Sequence, residues 1–486
     1  MTPVVTTVAS IVAALTEAGL LASVRGLLPD TIDGVTDDSR RAGPGVAFVA
    51  VRGTTQDGHA FLGAAERAGA AMAVVEDASR TVLPALVVRD GRAAAAVVAS
   101  VVSGWPARAL TMIGVTGTNG KSTTVGLLRH LLDEPGARSA SVGTIGVFIG
   151  SEGVALPGGA DLTTPGPIEL QRLLRALVDR GVRTVAIETS SHSLDQRRVE
   201  GIRFAAGLFT NLTRDHLDYH GTMEAYFAAK AKLVSYLAPD GVAIVNADDA
   251  HWRALPPAPR TVTFSGTGGA ADVRAVDVRF GARGSAWGLA IGGTTTQVRL
   301  PLIGDFNVDN AVGAAATAWA LGWSAATIAE RLGTVPQVPG RLEILRDRPV
   351  VLRDYAHTPD ALARALGAVR PFTPGRLIVV FGAGGDRDKG KRPQMGAVGE
   401  QLADVVILTS DNPRTEDPER ILDDIEAGMS RAHERIEDRE QAVVRALALA
   451  KPDDVVLLAG KGHETYQVRG TTKYPLDERA IVQAHG

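Results

Sequence analysis

The apolar run Leu110-Thr111-Met112-Ile113-Gly114-Val115 leads directly into Thr116-Gly117-Thr118-Asn119-Gly120-Lys121-Ser122-Thr123-Thr124, and a helical pattern follows at Val125-Gly126-Leu127-Leu128. A strand that turns on glycines into a helix aims several backbone N–H groups, and the positive end of a helix dipole, at one point. That point is a phosphate site. In such loops the lysine, here Lys121, reaches the terminal phosphates, and the hydroxyl of Ser122 is placed to hold Mg²⁺. The general pattern asks for glycine five residues before Gly120, where Val115 stands, so Gly117-x-x-Gly120-Lys121-Ser122 is a tighter variant. A flexible Gly/Thr turn with a stray lysine is the bland alternative, and the strand–turn–helix context speaks against it. The chain is read as binding a nucleoside triphosphate.

At 486 residues the chain is too long for one core, and its size suggests about three domains. Hydrophobic residues make up 45% and charged residues 22%, an ordinary globular composition. Lys+Arg 51 against Asp+Glu 54 gives a net charge of -3, and no basic stripe with interleaved aromatics occurs, so nucleic-acid binding finds no support. The absence of cysteine excludes disulfides and thiolate metal sites and fits a reducing cytoplasm, the expected location. The apolar N-terminus lacks a basic region and carries Glu17, so it reads as the first helix and not as a signal peptide. The longest apolar run, Ala93 to Val102, falls far short of a bilayer span.

Three blocks follow. Residues 1–108 hold short strands such as Val46 to Val51 and alanine-rich helices such as Phe61 to Ala70, and the step Trp105-Pro106 breaks the chain. Residues 109–338 alternate strands and helices; Val182 to Ile187 and Val242 to Val245 look like buried parallel strands, and Val262 to Val298 like a small antiparallel insert. The stretch Val335 to Gly340 is the linker to residues 339–486, whose β/α alternation predicts a second open parallel sheet. The fold class is therefore α/β, with ligands at the carboxyl ends of the strands.

The polar motifs fall just after predicted strands. Glu188 opens ETSSH and is placed to hold Mg²⁺, or is a solvated strand-end carboxylate. His216 and His220, four apart in NLTRDHLDYHG, mimic a zinc pair, but no HExxH glutamate lies between them, and one histidine helping a Mg²⁺ site reads better. Lys230 by itself reads as a solvated helix lysine. Asn307 and Asn310 open an alanine-rich helix and offer amide pairs to an adenine edge, or simply cap it. The loops Asp354 to Pro359, Gly382 to Arg392, Asp411 to Arg414 and Gly460 to Glu464 bring basic side chains to several strand ends, which suits an anionic ligand.

Taken together, TGTNGKST, ETSSH, NLTRDHLDYHG, GDFNVDN, DYAHTP, GGDRDKGKRP, DNPR and GKGHE resemble the Mur ligases, ATP-dependent amino-acid ligases of peptidoglycan precursor synthesis. The likeness spans residues 38 to 464 and is strongest to the branch that adds the third residue, meso-diaminopimelate, to UDP-N-acetylmuramoyl-L-Ala-D-Glu. It implies three domains: an N-terminal one for the UDP end, a central phosphate-loop ATPase-like sheet, and a C-terminal Rossmann-like sheet for the amino acid. It also implies roles. Ser39, Thr54, Thr55, Gln56, Thr163, Thr164, Ser190, Gln196 and Arg198 match contacts to the UDP-muramoyl substrate. Gly117, Thr118, Asn119, Gly120, Lys121, Ser122 and Thr123 match the ATP loop, with Asn307, Arg341 and Asp354 around the nucleotide. Ser122, Glu188 and His216 match magnesium ligands, and Lys230 matches a lysine carbamylated by CO₂ that holds a second Mg²⁺; Lys121, Lys230 and His216 form the implied catalytic set.

The implied chemistry is attack of the D-Glu γ-carboxylate on the ATP γ-phosphate to give an acyl phosphate, then attack by the incoming amine. A second carboxylate distinguishes meso-diaminopimelate from lysine and calls for an arginine fork. Arg387 and Arg414 match the family's carboxylate-binding arginines, Asp411, Asn412 and Pro413 share the latter's loop, and Gly460 and Glu464 match contacts to the amino end. The alternatives are an L-lysine-adding relative, against which Arg414 argues, a folylpolyglutamate synthase-like ligase, which shares only the phosphate loop, and a nucleotide-binding protein without turnover. Two positions depart from the family pattern: Asp37 stands where leucine is expected and Leu162 where asparagine is common.

Overall fold

The computed structural model describes residues 6–53, 56–159, 162–281 and 283–485. The chain divides into two compact units, one of Met1–Arg274 with Asn310–Ile328 and one of Ala275–Asp309 with Ala329–Gly486.

The first unit is built on two large sheets. The N-terminal sheet runs Leu21–Arg25, Ala85–Val88, Met72–Val75, Val46–Val49, Gly34–Thr36, antiparallel only at its first pair. Its inner strands read as unbroken buried runs, Met72 to Val75 among them, as strands covered on both faces must. The helix Gly91–Val102, capped by the Asp90 carboxylate on Ala93 N (3.0 Å), buries alanines on the sheet. The expected first helix is shorter than the apolar N-terminus, Val8–Glu17, and Thr6–Thr7 pairs instead with Thr31–Ile32.

The larger sheet runs Val154–Leu156, Gly146–Ile149, Arg138–Gly143, Val182–Glu188, Thr111–Thr116, Phe204–Phe209, Leu237–Asn246, Arg260–Ser265, parallel from Arg138–Gly143 onward. The strand that feeds the phosphate loop lies between Val182–Glu188 and Phe204–Phe209, with Val115 opposite Glu188 and Thr116 opposite Phe209. Three carboxyl ends therefore meet at one edge, as the open-sheet rule requires. The helix begins at Lys121, four residues before the expected Val125. Arg172 of the helix Pro167–Val178 donates to Val35 O (2.6 Å), and Arg197 pairs with Asp90 (3.2 Å), joining the two sheets' layers.

The expected antiparallel insert is a mixture. Arg260–Ser265 extends the parallel sheet through buried Val262 and Phe264, and Val273–Arg274 pair in parallel with Phe264–Ser265. Gly284–Ile291 and Thr294–Leu300 form an antiparallel hairpin, closed by Gly292 and Gly293 at φ 56 and 83, with Val273–Gly281 beside Gly284–Ile291 in the same sheet; two left-handed residues give the tight turn whose twist suits a hairpin.

In the second unit the sheet runs Glu343–Asp347, Val350–Asp354, Val455–Ala459, Leu377–Phe381, Val405–Leu408, Glu434–Arg435, parallel except for the antiparallel edge strand Glu343–Asp347. Helices Pro359–Val369, Lys391–Leu402, Pro418–Glu426 and Arg439–Leu449 connect it. A hairpin, Tyr466–Arg469 with Thr472–Pro475, follows the last long strand.

Candidate active site

The phosphate loop is built by close backbone approach. Gly120, at φ 86, caps the helix Lys121–Leu131; a Cβ there would strike Asn310 Oδ1, and one at Gly117 would strike Thr210 Oγ1. The next strand's end holds the loop: Thr118 N donates to Asn211 O (2.7 Å), Asn119 N to Asn211 Oδ1 (3.0 Å), and Thr210 Oγ1 to Asn119 O (2.7 Å). Lys121 Nζ folds over it, donating to Gly117 O (2.9 Å) and Thr118 O (2.8 Å). Ser122 and Thr123 are buried in the helix's first turn.

Lys230 is not a solvated lysine. Its helix, Met223–Ala231, delivers it to the loop at 1% exposure, where Nζ donates to Gly117 O (2.7 Å) and lies 4.5 Å from the centre of the Tyr226 ring. The Tyr226 hydroxyl is 3.2 Å from Thr118 Oγ1. Burial, reinforced by the Lys121 ammonium, pushes the Lys230 pKa well below the ordinary lysine value, with Asp215 opposing. A neutral amine is the form that adds CO₂, so this environment suits a carbamate.

Glu188, 1% exposed, accepts from Thr144 N (2.9 Å), and its other oxygen lies 3.2 Å from Thr144 Oγ1. Around it several of the expected residues meet. Thr163 Oγ1 is 3.1 Å from Thr144 Oγ1, Thr164 Oγ1 donates to Glu188 O (2.7 Å), and Ser190 N donates to Thr164 Oγ1 (3.2 Å). Arg198 donates to Thr164 O (2.8 Å) and to Gln196 Oε1 (2.7 Å), whose amide reaches the Tyr219 hydroxyl (3.3 Å).

His216 sits outside the short helix Leu217–His220 as its left-handed cap (φ 53), and His220 Nε2 is 3.0 Å from Ser191 Oγ. Both rings pack on His192, at 4.8 and 5.5 Å between centres. Burial, with His216 and His220 beside it, lowers the His192 pKa to about 4, so its ring is neutral at pH 7. Among the described residues no three His, Asp or Glu side chains gather where they could hold a metal. Mg²⁺ fits such a sparse set, because it takes one or two carboxylates and completes its shell from phosphates and water.

On the N-terminal sheet, Ser39 starts a short 3₁₀ turn capped by Asp38, which accepts from Arg40 N (3.0 Å), and Gln56 lies exposed, its carbonyl accepting from Gly53 N (2.8 Å). Thr54 and Thr55 lie outside the described residues.

In the second unit, Asn307 is buried and its amide donates to Ile303 O (2.8 Å). Asp354 ends its strand and accepts from Leu342 N (2.7 Å) and Ala356 N (2.8 Å); loss of solvent raises its pKa although Arg341 opposes this. Arg341 lies 4.8 Å from the Tyr355 ring centre. Arg414, left-handed at φ 52, donates to Gly385 O (2.8 Å), and its backbone pairs with the hairpin through Val468 O (3.0 Å). Asn412 donates to Glu464 Oε2 (2.9 Å), Asp411 and Pro413 are buried beside it, and a Cβ at Gly460 would lie 3.3 Å from Asp411 Oδ2. Arg387 is exposed on the neighbouring loop.

Three contributors were given no role by the reading of the sequence: Thr144, Thr210 and Tyr226. Thr144 had a signal in Gly143-Thr144, since a Cβ at Gly143 would strike the Glu188 carboxylate. The others matter through contacts far along the chain, which no local pattern announces.

A phosphate loop at the middle of a parallel sheet, with a buried lysine on its backbone, defines an α/β protein of the phosphate-loop class. Three family models match the chain in order: "Mur ligase family, catalytic domain" over residues 31–104, "Mur ligase middle domain" over 115–318, and "Mur ligase, glutamate ligase domain" over 340–462. The UDP-N-acetylmuramoyl-L-alanyl-D-glutamate–2,6-diaminopimelate ligase of Synechococcus elongatus is 44% identical over 92% of this chain and 92% of its own length. The enzyme of the same name from Geobacillus kaustophilus is 42% identical over 92% and 93%. A solved structure of a ligase of that name, 33% identical, superposes with a TM-score of 0.68 over 96% of each chain. The chain belongs to the Mur ligase family, with its three-domain α/β architecture.

Proposed function

We propose that the protein is the ATP-dependent ligase that adds meso-diaminopimelate to the D-Glu γ-carboxylate of UDP-N-acetylmuramoyl-L-Ala-D-Glu, in the cytoplasm. The observation that carries the reading is the buried Lys230 amine on the phosphate-loop carbonyl of Gly117. A protein that only bound nucleotide has no use for a low-pKa amine there. The shared name of the relatives supports the two substrates, and Arg414 beside Asp411, Asn412 and Glu464 supports an amino acid with a distal carboxylate.

In this reading the N–H groups of Gly117 to Thr123 bind the ATP phosphates, and Lys121 swings from its loop carbonyls to the γ-phosphate. Ser122, Glu188, His216 and a carbamate on Lys230 would hold two Mg²⁺ ions, which supply charge neutralisation for the phosphoryl transfer. Asn307, Arg341 and Asp354 surround the rest of the nucleotide. Ser39, Thr54 to Gln56, Thr163, Thr164, Ser190, Gln196 and Arg198 orient the UDP-muramoyl substrate so that its γ-carboxylate attacks the γ-phosphate, the β,γ-phosphoanhydride bond breaks and ADP leaves. The resulting acyl phosphate is attacked by the amine of diaminopimelate, whose far end is held by Arg387, Arg414, Asp411, Asn412, Gly460 and Glu464, with Pro413 shaping their loop. Phosphate then leaves. This division of labour would place the domain boundaries near residues 108 and 338.

Phosphate release with Mg²⁺, ATP and the UDP-dipeptide tests the reading, with meso-diaminopimelate, L-lysine or no amino acid in parallel. Release driven by meso-diaminopimelate alone is expected. Release driven by lysine would replace the amino acid, and silence in all three would refute the ligase.

A further inference from the structure

Lys461 follows the glycine that ends the strand Val455–Ala459, and its side chain is fully buried. Its Nζ donates to Glu464 Oε2 (2.7 Å) and Asn412 Oδ1 (2.8 Å) and lies 3.7 Å from Asp411 Oδ1. Glu464, Asn412 and Asp411 are the side chains that the proposed reading gives to the far end of the incoming amino acid. An internal ammonium thus already stands among the acceptors meant for a substrate ammonium. Asp411 Oδ1 makes no hydrogen bond among the described residues, and the Lys461 ammonium 3.7 Å away is its counter-ion.

Charge decides what that ligand can be. Asp411 and Glu464 bring two negative charges to the cluster, Lys461 lies within ion-pair range of both, and Arg414, on the Asn412 loop with Nη1 3.5 Å from Asn412 O, brings a second positive charge. A neutral set of this kind matches an end group that carries both an ammonium and a carboxylate. An end group with an ammonium alone gains less from carboxylates that Lys461 already neutralises and brings no carboxylate to the Arg414 guanidinium. Without Lys461 the cluster would carry a net negative charge and favour a bare ammonium. Discrimination of this sort is a difference between two affinities, and a fixed charge that opposes the wrong ligand is one way to obtain it.

The geometry points to Lys461 as a specificity-determining residue, an internal counter-ion that tunes the distal subsite to a zwitterionic amino-acid end and against a cationic one. The inference rests on the diaminopimelate reading.

The test measures kcat/KM for meso-diaminopimelate and for L-lysine on the full chain, at saturating ATP and UDP-dipeptide, for wild type, Lys461→Met and Lys461→Gln. Methionine keeps the length without the charge, and glutamine keeps a donor for Asn412 or Glu464. The ratio of the two kcat/KM values is expected to fall at least ~10-fold in both variants, with the KM for ATP within about 2-fold of wild type. A merely structural lysine would lower both substrates together and leave the ratio unmoved, which overturns the inference. Loss of folded protein in both variants overturns it equally. A wild type that does not use meso-diaminopimelate refutes the underlying functional reading instead.

Discussion

Lys230 has the environment furthest from the ordinary one for its residue type. Taking an ammonium out of water is unfavourable, and a single carbonyl with an aromatic face compensates only partly. Gly117 O accepts from both Lys230 and Lys121, so it keeps a donor if one lysine is removed. Lys230→Met should therefore lower stability by no more than about 1 kcal/mol, or raise it, since replacing a buried charge by an apolar group of similar size is often neutral or stabilising. Its ligase turnover should fall at least ~100-fold, given a metal-ligand role. Urea unfolding beside phosphate release checks both halves; a large stability loss would make Lys230 a structural residue.

At the scale of elements, the loops carrying Arg387 and Arg414 are fastened by Glu416. It accepts from Asp386 N (2.6 Å) and from the buried guanidinium of Arg392 (2.9 and 3.1 Å), and pairs with Lys389 (3.2 Å). The hydrogen bond from Arg392 leads in holding its pKa down at about 2, against an ordinary 4.5. A carboxylate with a depressed native pKa binds fewer protons folded than unfolded, so its stabilisation is complete above about 4.5 and disappears as pH falls towards about 2. Glu416→Gln should lose on the order of 2 kcal/mol at pH 7, and the gap to wild type should close between pH 4.5 and 2. Urea titrations at pH 7, 4 and 3 measure it, and a gap independent of pH would contradict the linkage.

At the scale of the whole molecule, the phosphate loop and the Arg414 loop belong to different compact units, so their ligands should be separable by mutation. Arg414→Ala should reduce kcat/KM for meso-diaminopimelate by about 30- to 1000-fold, the usual effect of losing a charge-assisted contact to a carboxylate. The dissociation constant for ATP, read by calorimetry, should stay within about 2-fold. An equal loss on both would show that the two sites are one energetic unit.

The phosphate loop, the strand ending at Glu188 and the strand Val455–Ala459 were legible in the sequence because each is local: a glycine spacing, or an apolar run closed by a polar residue. The mixed character of Val262 to Val298 was not, since alternation cannot tell whether a strand's partner is its neighbour in sequence or a distant one. Residue roles divide in the same way. The motif marked Lys121, whereas Lys230 by itself read as a surface lysine, because its burial depends on a carbonyl 113 residues away. Lys461 likewise acquires its meaning from Asn412, 49 residues earlier. The sequence by itself determined which elements form and where glycines let the backbone close on a ligand. Only the tertiary structure decided which charges lose their water and which oppose one another, because desolvation and Coulomb terms depend on distances that the chain acquires only on folding.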